Sequence, residues 1–115
     1  MKHTLIAFTG FLFALSASAA GVDGKVLYQE NCAICHGETG KGGTQGVKGT
    51  KLVGDASKWS SKVFVRAVLE AKDDEGKVLK ATMPHWKDSS FKGDNGKPPT
   101  IVEVTAIHKY LRTVK

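Results

Sequence analysis

Three stretches of this chain alternate apolar and polar residues at helical spacing. In 22–31, Val26 and Leu27 stand among polar positions such as Gln29 and Glu30 and allow one apolar face, and Tyr28 sits four residues after Gly24. Val63, Phe64, Ala67, Val68 and Ala71 recur at three- and four-residue steps, with Ser60 or Ser61 placed to cap that helix. Thr100 opens a last helix with Glu103 three residues on, the pattern of a capping box, and Ile101, Val104, Ile107, Tyr110 and Leu111 form its expected buried stripe.

Between these stretches the pattern fails for identifiable reasons. Six glycines fall within residues 40–54, too many for a stable helix, so 37–54 reads as a long loop. Loops of that length in compact domains usually serve a site. Asp73-Asp74-Glu75-Gly76 reads as a solvated turn, since calcium would need more ligands at set spacing. Residues 77–99 are broken by Met83-Pro84, Gly93, Gly96 and Pro98-Pro99, with a brief extended piece expected at Val78-Leu79. The expected fold class is all-α: three to four helices, long loops and no strand pair.

The first twenty residues stand apart. Lys2 is their only formal charge, an apolar run follows from Leu5 to Leu15, and Ala17-Ser18-Ala19 ends it with small residues. A basic start, a short apolar core and an A-x-A end describe a secretory signal peptide. The run is shorter than the roughly 20 apolar residues of a membrane span. The expected organisation is a cleaved leader over 1–20, cut after Ala19 or Ala20, and one domain over 21–115. Export makes the periplasm the expected location, with no membrane span left after cleavage.

The chain has 115 residues, 17 basic and 11 acidic side chains and a formal charge of +6. Losing Lys2 with the leader removes one positive charge. A positive balance favours acidic protein surfaces as partners. Nucleic acid is not expected, because Arg66 and Arg112 are the only arginines and the lysines are spread along the chain. A domain of this size has a marginal core, and a large buried cofactor would reinforce it.

Cys32-Ala33-Ile34-Cys35-His36 carries the chemistry. C-x-x-C-H is the attachment signature of c-type haem. Thiols three residues apart can each form a thioether to one of the two haem vinyl groups. The adjacent His36 then lies under the iron as proximal ligand. A structural zinc site needs four ligands, usually two such pairs. A thioredoxin-like redox pair would sit beside a βαβ pattern, which is missing. A plain disulfide leaves His36 unexplained. For the opposite axial position Met83 is favoured, as the one methionine left after leader removal, on a loop stiffened by Pro84. His85 is the main rival. His108 is a weaker one, expected on a helix surface or in a capping role. His/Met ligation raises the reduction potential over bis-His ligation and closes the iron to outside ligands. That suits single-electron transfer rather than an enzyme.

From 22 to 113 the sequence resembles class I cytochromes c of bacterial type. Gly24 and Tyr28 precede Cys32 at four-residue steps, as a glycine and an aromatic precede the haem motif in that family. Tyr110, followed by Leu111, matches the aromatic of its C-terminal helix. Cys35-His36-Gly37-Glu38-Thr39-Gly40-Lys41-Gly42 matches its C-H-G-x-x-G-x-G run, and Met83-Pro84 its late M-P pair. The resemblance implies the cytochrome c fold, with N- and C-terminal helices crossing, one covalent haem c, and redox-protein donors and acceptors. In the family a carbonyl near the proline of P-x-L-x-G accepts the proximal histidine's ring N–H. Here the run is Thr50-Lys51-Leu52-Val53-Gly54, which leaves that acceptor open. The loop from Lys87 to Lys97 is longer than the family's usual one. Lys41, Lys48, Lys51, Lys80, Lys87 and Lys92 flank the expected haem region and are candidates for steering acidic partners. Trp59 and Trp86 are candidates for lining the haem. The other functions open to such a chain are an electron-input subunit of a larger redox enzyme and a haem protein with an open sixth site.

Overall fold

In a computed structural model of the chain, the described residues are 22–44, 46, 48–79 and 83–115. The expected leader lies outside them. They form four α-helices and two short 3-10 turns. The helices are α1 (Gly24–Asn31), α2 (Ala33–His36), α3 (Ser61–Glu70) and α4 (Ile101–Thr113); the turns are Ala56–Lys58 and Trp86–Asp88. No described helix is long and apolar enough to cross a membrane.

Three of the four helices, α1, α3 and α4, start where a side chain satisfies free amides. The Asp23 carboxylate accepts from the Lys25 and Val26 N–H groups at 3.0 and 3.3 Å, so α1 begins at Gly24, two residues after the apolar pattern does. Ser60 rather than Ser61 caps α3, accepting from the Val63 N–H at 3.2 Å. Thr100 and Glu103 form the reciprocal capping box of α4. α3 ends at Ala71, which takes a left-handed φ of 54° without being glycine. Its carbonyl then accepts from the Leu79 N–H at 2.7 Å, and Lys72 bridges to Val78. The acidic run 73–75 is therefore the turn of a tiny hairpin, held by the Asp73 carboxylate accepting from the Glu75 and Lys77 amides.

The terminal helices cross at Gly24. A Cβ there would stand 1.9 Å from the Ala106 carbonyl oxygen, so only glycine lets the backbones approach this closely. The core lies around that crossing and under α3, with Tyr28, Phe64, Val68, Phe91, Val104, Ile107 and Leu111 all buried. Each such side chain contributes about 1.5–3 kcal/mol by leaving water. Ile101 departs from the expected stripe. It begins the first turn of α4, ahead of the Gly24–Ala106 crossing, and is 65% exposed.

Candidate haem site

The cysteine motif sits where α1 gives way to α2. Cys32 closes α1 by donating its N–H to the Tyr28 carbonyl at 2.8 Å. Its own carbonyl accepts from the Cys35 and His36 amides at 3.2 and 2.9 Å, which winds the two cysteines and the histidine into one tight turn. Gly37 then stops α2 with a φ of 85°. Both thiols are unpaired and half-buried. Burial, with the neighbouring Cys35 second, pushes the Cys32 thiol up to about 12.

The glycine loop folds back under this turn. Gly42 donates to the His36 carbonyl at 2.9 Å, and Gly49 to the Cys35 carbonyl at 2.6 Å. A Cβ on Gly43 would meet the Cys35 oxygen at 2.1 Å. One on Gly49 would meet the same oxygen at 2.6 Å and His36 Nδ1 at 2.8 Å. These glycines thus let the loop lie flat against the motif. The consequence is the contact of 2.8 Å between His36 Nδ1 and the Thr50 carbonyl. A carbonyl only accepts, so Nδ1 carries a proton, and in the neutral ring the lone pair is then on Nε2. The acceptor that the sequence left open is therefore the backbone of Thr50 itself, which no proline is needed to supply. The Tyr28 hydroxyl donates to the Gly37 carbonyl, and its ring lies 5.5 Å from that of Tyr110. Through Tyr28 the α1–α4 crossing is tied to the end of the motif.

The distal candidates differ in setting. Met83 is half-buried, and Pro84 and the exposed His85 lead from it into the turn Trp86–Asp88. Trp86 is half-buried and packs edge-on against buried Phe91, their centroids 4.8 Å apart. His108 is neither a surface nor a capping residue. It is 0% exposed, stacked on Phe64 at 4.4 Å, with Nδ1 3.5 Å from the Ser61 hydroxyl. A flat aromatic ring on Phe64 is what admits it to the core. Protein encloses it on every side, so its Nε2 has no open approach to a metal.

A family profile described as "Cytochrome C oxidase, cbb3-type, subunit III" matches residues 19–97. The chain belongs to this cytochrome family. It is a class I c-type cytochrome, all-α, with covalently bound haem c, and an electron carrier by family. Among solved structures it is similar to a "KustC0563 c-type cytochrome", with 22% identity over 79% of this chain and 95% of that one, at a TM-score of 0.49. No curated protein matches it. The donor set suits the cofactor of a c-type cytochrome: two unpaired thiols one turn apart and an imidazole whose second nitrogen is already held. The sequence did not single out Asn31, or the hydroxyl of Tyr28 as a tie to Gly37. Neither residue belongs to the haem-attachment motif.

Proposed function

We propose that Cys32 and Cys35 hold the single haem by thioethers, that His36 Nε2 and the Met83 sulfur are its axial ligands, and that the exported protein passes single electrons between redox partners in the periplasm. The observation that carries this reading is the Nδ1–H of His36 held by the Thr50 carbonyl at 2.8 Å. That bond fixes the ring's tautomer and orientation and raises the basicity of the free nitrogen. Bound haem supplies an iron that cycles between ferric and ferrous states. The chain's part is to keep both ligands in place through the cycle. Gly43 and Gly49 hold the loop that orients His36, and Pro84 restricts the backbone beside Met83. The leader reading of 1–20 supports export.

Lys41, Lys48, Lys51, Lys87 and Lys92 are exposed, while Lys80 lies outside the described residues. The ion pair found among the described residues, Lys77 with Glu75 at 3.3 Å, involves none of them. Their charge is free to draw acidic partners. Ile34, between the two cysteines, is 83% exposed and offers an apolar contact in a brief encounter.

The test is the visible spectrum of the holoprotein. We expect low-spin haem in both oxidation states and, in the ferric form, the weak far-red band of a sulfur ligand, lost in Met83→Ala and retained in His85→Ala. High-spin iron in the unmodified protein, or loss of the band in His85→Ala alone, overturns the assignment. The family description favours one further reading, an electron-input subunit of a larger redox enzyme. Gel filtration of material from the native host separates the two: a free carrier elutes at monomer size, a subunit with its partner.

A further inference from the structure

We propose that Asn31 is a positioning residue for the distal ligand: its side chain ties the end of α1 to the loop that follows Met83. The inference rests on Met83 being the sixth ligand, as proposed above. Asn31 immediately precedes Cys32. Its Oδ1 accepts from the Lys92 N–H at 2.8 Å, and its Nδ2 donates to the Leu27 carbonyl at 3.0 Å. Both ends of the amide are engaged, so the side chain cannot swing without losing a bond. Lys92 lies next to Phe91, which is 1% exposed and packed edge-on against Trp86. Trp86 opens the 3-10 turn only three residues after Met83, and that turn packs on α3. A short chain of contacts therefore runs from the motif through Asn31, Lys92, Phe91 and Trp86 to the Met83 segment.

The physical need is clear from the length of the connection. Residues 83–100 contain one 3-10 turn and no α-helix. A connection of that length has much freedom to lose, and a tie in its middle divides it into two shorter loops. Residues 87–97 are thus pinned back onto α1 at Lys92. Displacement of the methionine by an outside ligand requires the Met83 segment to open. Loss of one ordinary hydrogen bond raises an open population by roughly two- to tenfold.

The experiment compares holoprotein variants by two readouts: hydrogen exchange of the Lys92 amide, and the rate at which imidazole displaces the distal ligand of ferric iron. In Asn31→Ala we expect both to rise, the second by roughly two- to tenfold. Asn31→Asp keeps an acceptor oxygen for Lys92 and should stay near the unmodified protein. Lys92→Pro deletes the same N–H from the other side, at a position that lacks positive φ, and should speed imidazole binding even if Asn31→Ala fails to mature. Ser60→Ala removes the α3 cap, which accepts from the Val63 N–H and not from Lys92, so it lowers global stability and should speed imidazole binding less than Asn31→Ala does. The proposal is overturned if imidazole binds Asn31→Ala and Lys92→Pro no faster than the unmodified protein, or if Ser60→Ala accelerates it equally. Failure of the ligand assignment itself looks different: Met83→Ala would then leave the unmodified spectrum intact.

Discussion

Two residues define opposite uses of imidazole in one small protein. His36 has its Nδ1 proton held by Thr50, while His108 is enclosed and its Nε2 has no hydrogen-bond partner among the described residues. Burial first, and the Arg112 guanidinium second, hold the His108 pKa below its ordinary value; the Ala56 and Ser57 carbonyls oppose the shift. In the unfolded chain it titrates near the usual value of about 6.5. The unfolded state therefore binds the proton more readily. The stabilising contribution is present above about pH 6.5 and is lost as pH falls through the depressed folded value. Denaturant titrations across that window should show stability falling with acid, and a flatter profile in His108→Gln. An equal slope in the variant would contradict the assignment. Gly49 carries a second prediction. Its negative or extended φ would admit alanine, yet the added Cβ would strike the Cys35 oxygen and the His36 ring. Gly49→Ala should cost about 1–3 kcal/mol in denaturant unfolding. At this scale the sequence displayed the motif cysteines and His36 by spacing alone. It concealed the burial of His108, because one imidazole on a helix carries no sign of the Phe64 ring that covers it.

At the scale of elements, caps and crossings decide the arrangement. Thr100→Ala removes one side of the capping box and should lower stability by about 1 kcal/mol, read as a shift of the denaturation midpoint at unchanged slope. Gly24→Ala sets two effects against each other. Alanine improves helix propensity by about 1 kcal/mol, but its Cβ meets a backbone oxygen at 1.9 Å, which no rotamer can relieve. Overpacking costs about 1–3 kcal/mol, so the crossing should win and the melting temperature fall; an unchanged or higher value would mean the helices separate freely. The capping box of α4 and the faces of α3 and α4 were legible because each is a local signal. The outward turn of Ile101 was not, since the place where α4 meets α1 depends on Gly24, far away in sequence. Nor was the Asn31–Lys92 tie, whose partners are 61 residues apart.

The described residues form a small helical frame around a cysteine turn, with exposed lysines that make no ion pair among those residues. A cytochrome that meets acidic partners through such lysines should exchange electrons more slowly as salt rises, because charges at the surface are screened over about 8–10 Å at physiological ionic strength. Stopped-flow rates that do not change with ionic strength would remove the lysines from the docking account. The family and its fold were readable from the sequence: C-x-x-C-H, the glycine run and Met83-Pro84 are contiguous motifs. Which partners the surface meets is not carried by any contiguous motif, since scattered lysines have the same pattern whether they steer or merely solubilise. The central claim, one haem bound through Cys32 and Cys35, is tested most directly by the intact mass of the purified holoprotein matured with the cytochrome assembly machinery. The expected value is the mass of the processed chain plus one haem, retained after denaturation and lost when both cysteines become alanine. A colourless protein weighing only its amino acids would contradict it.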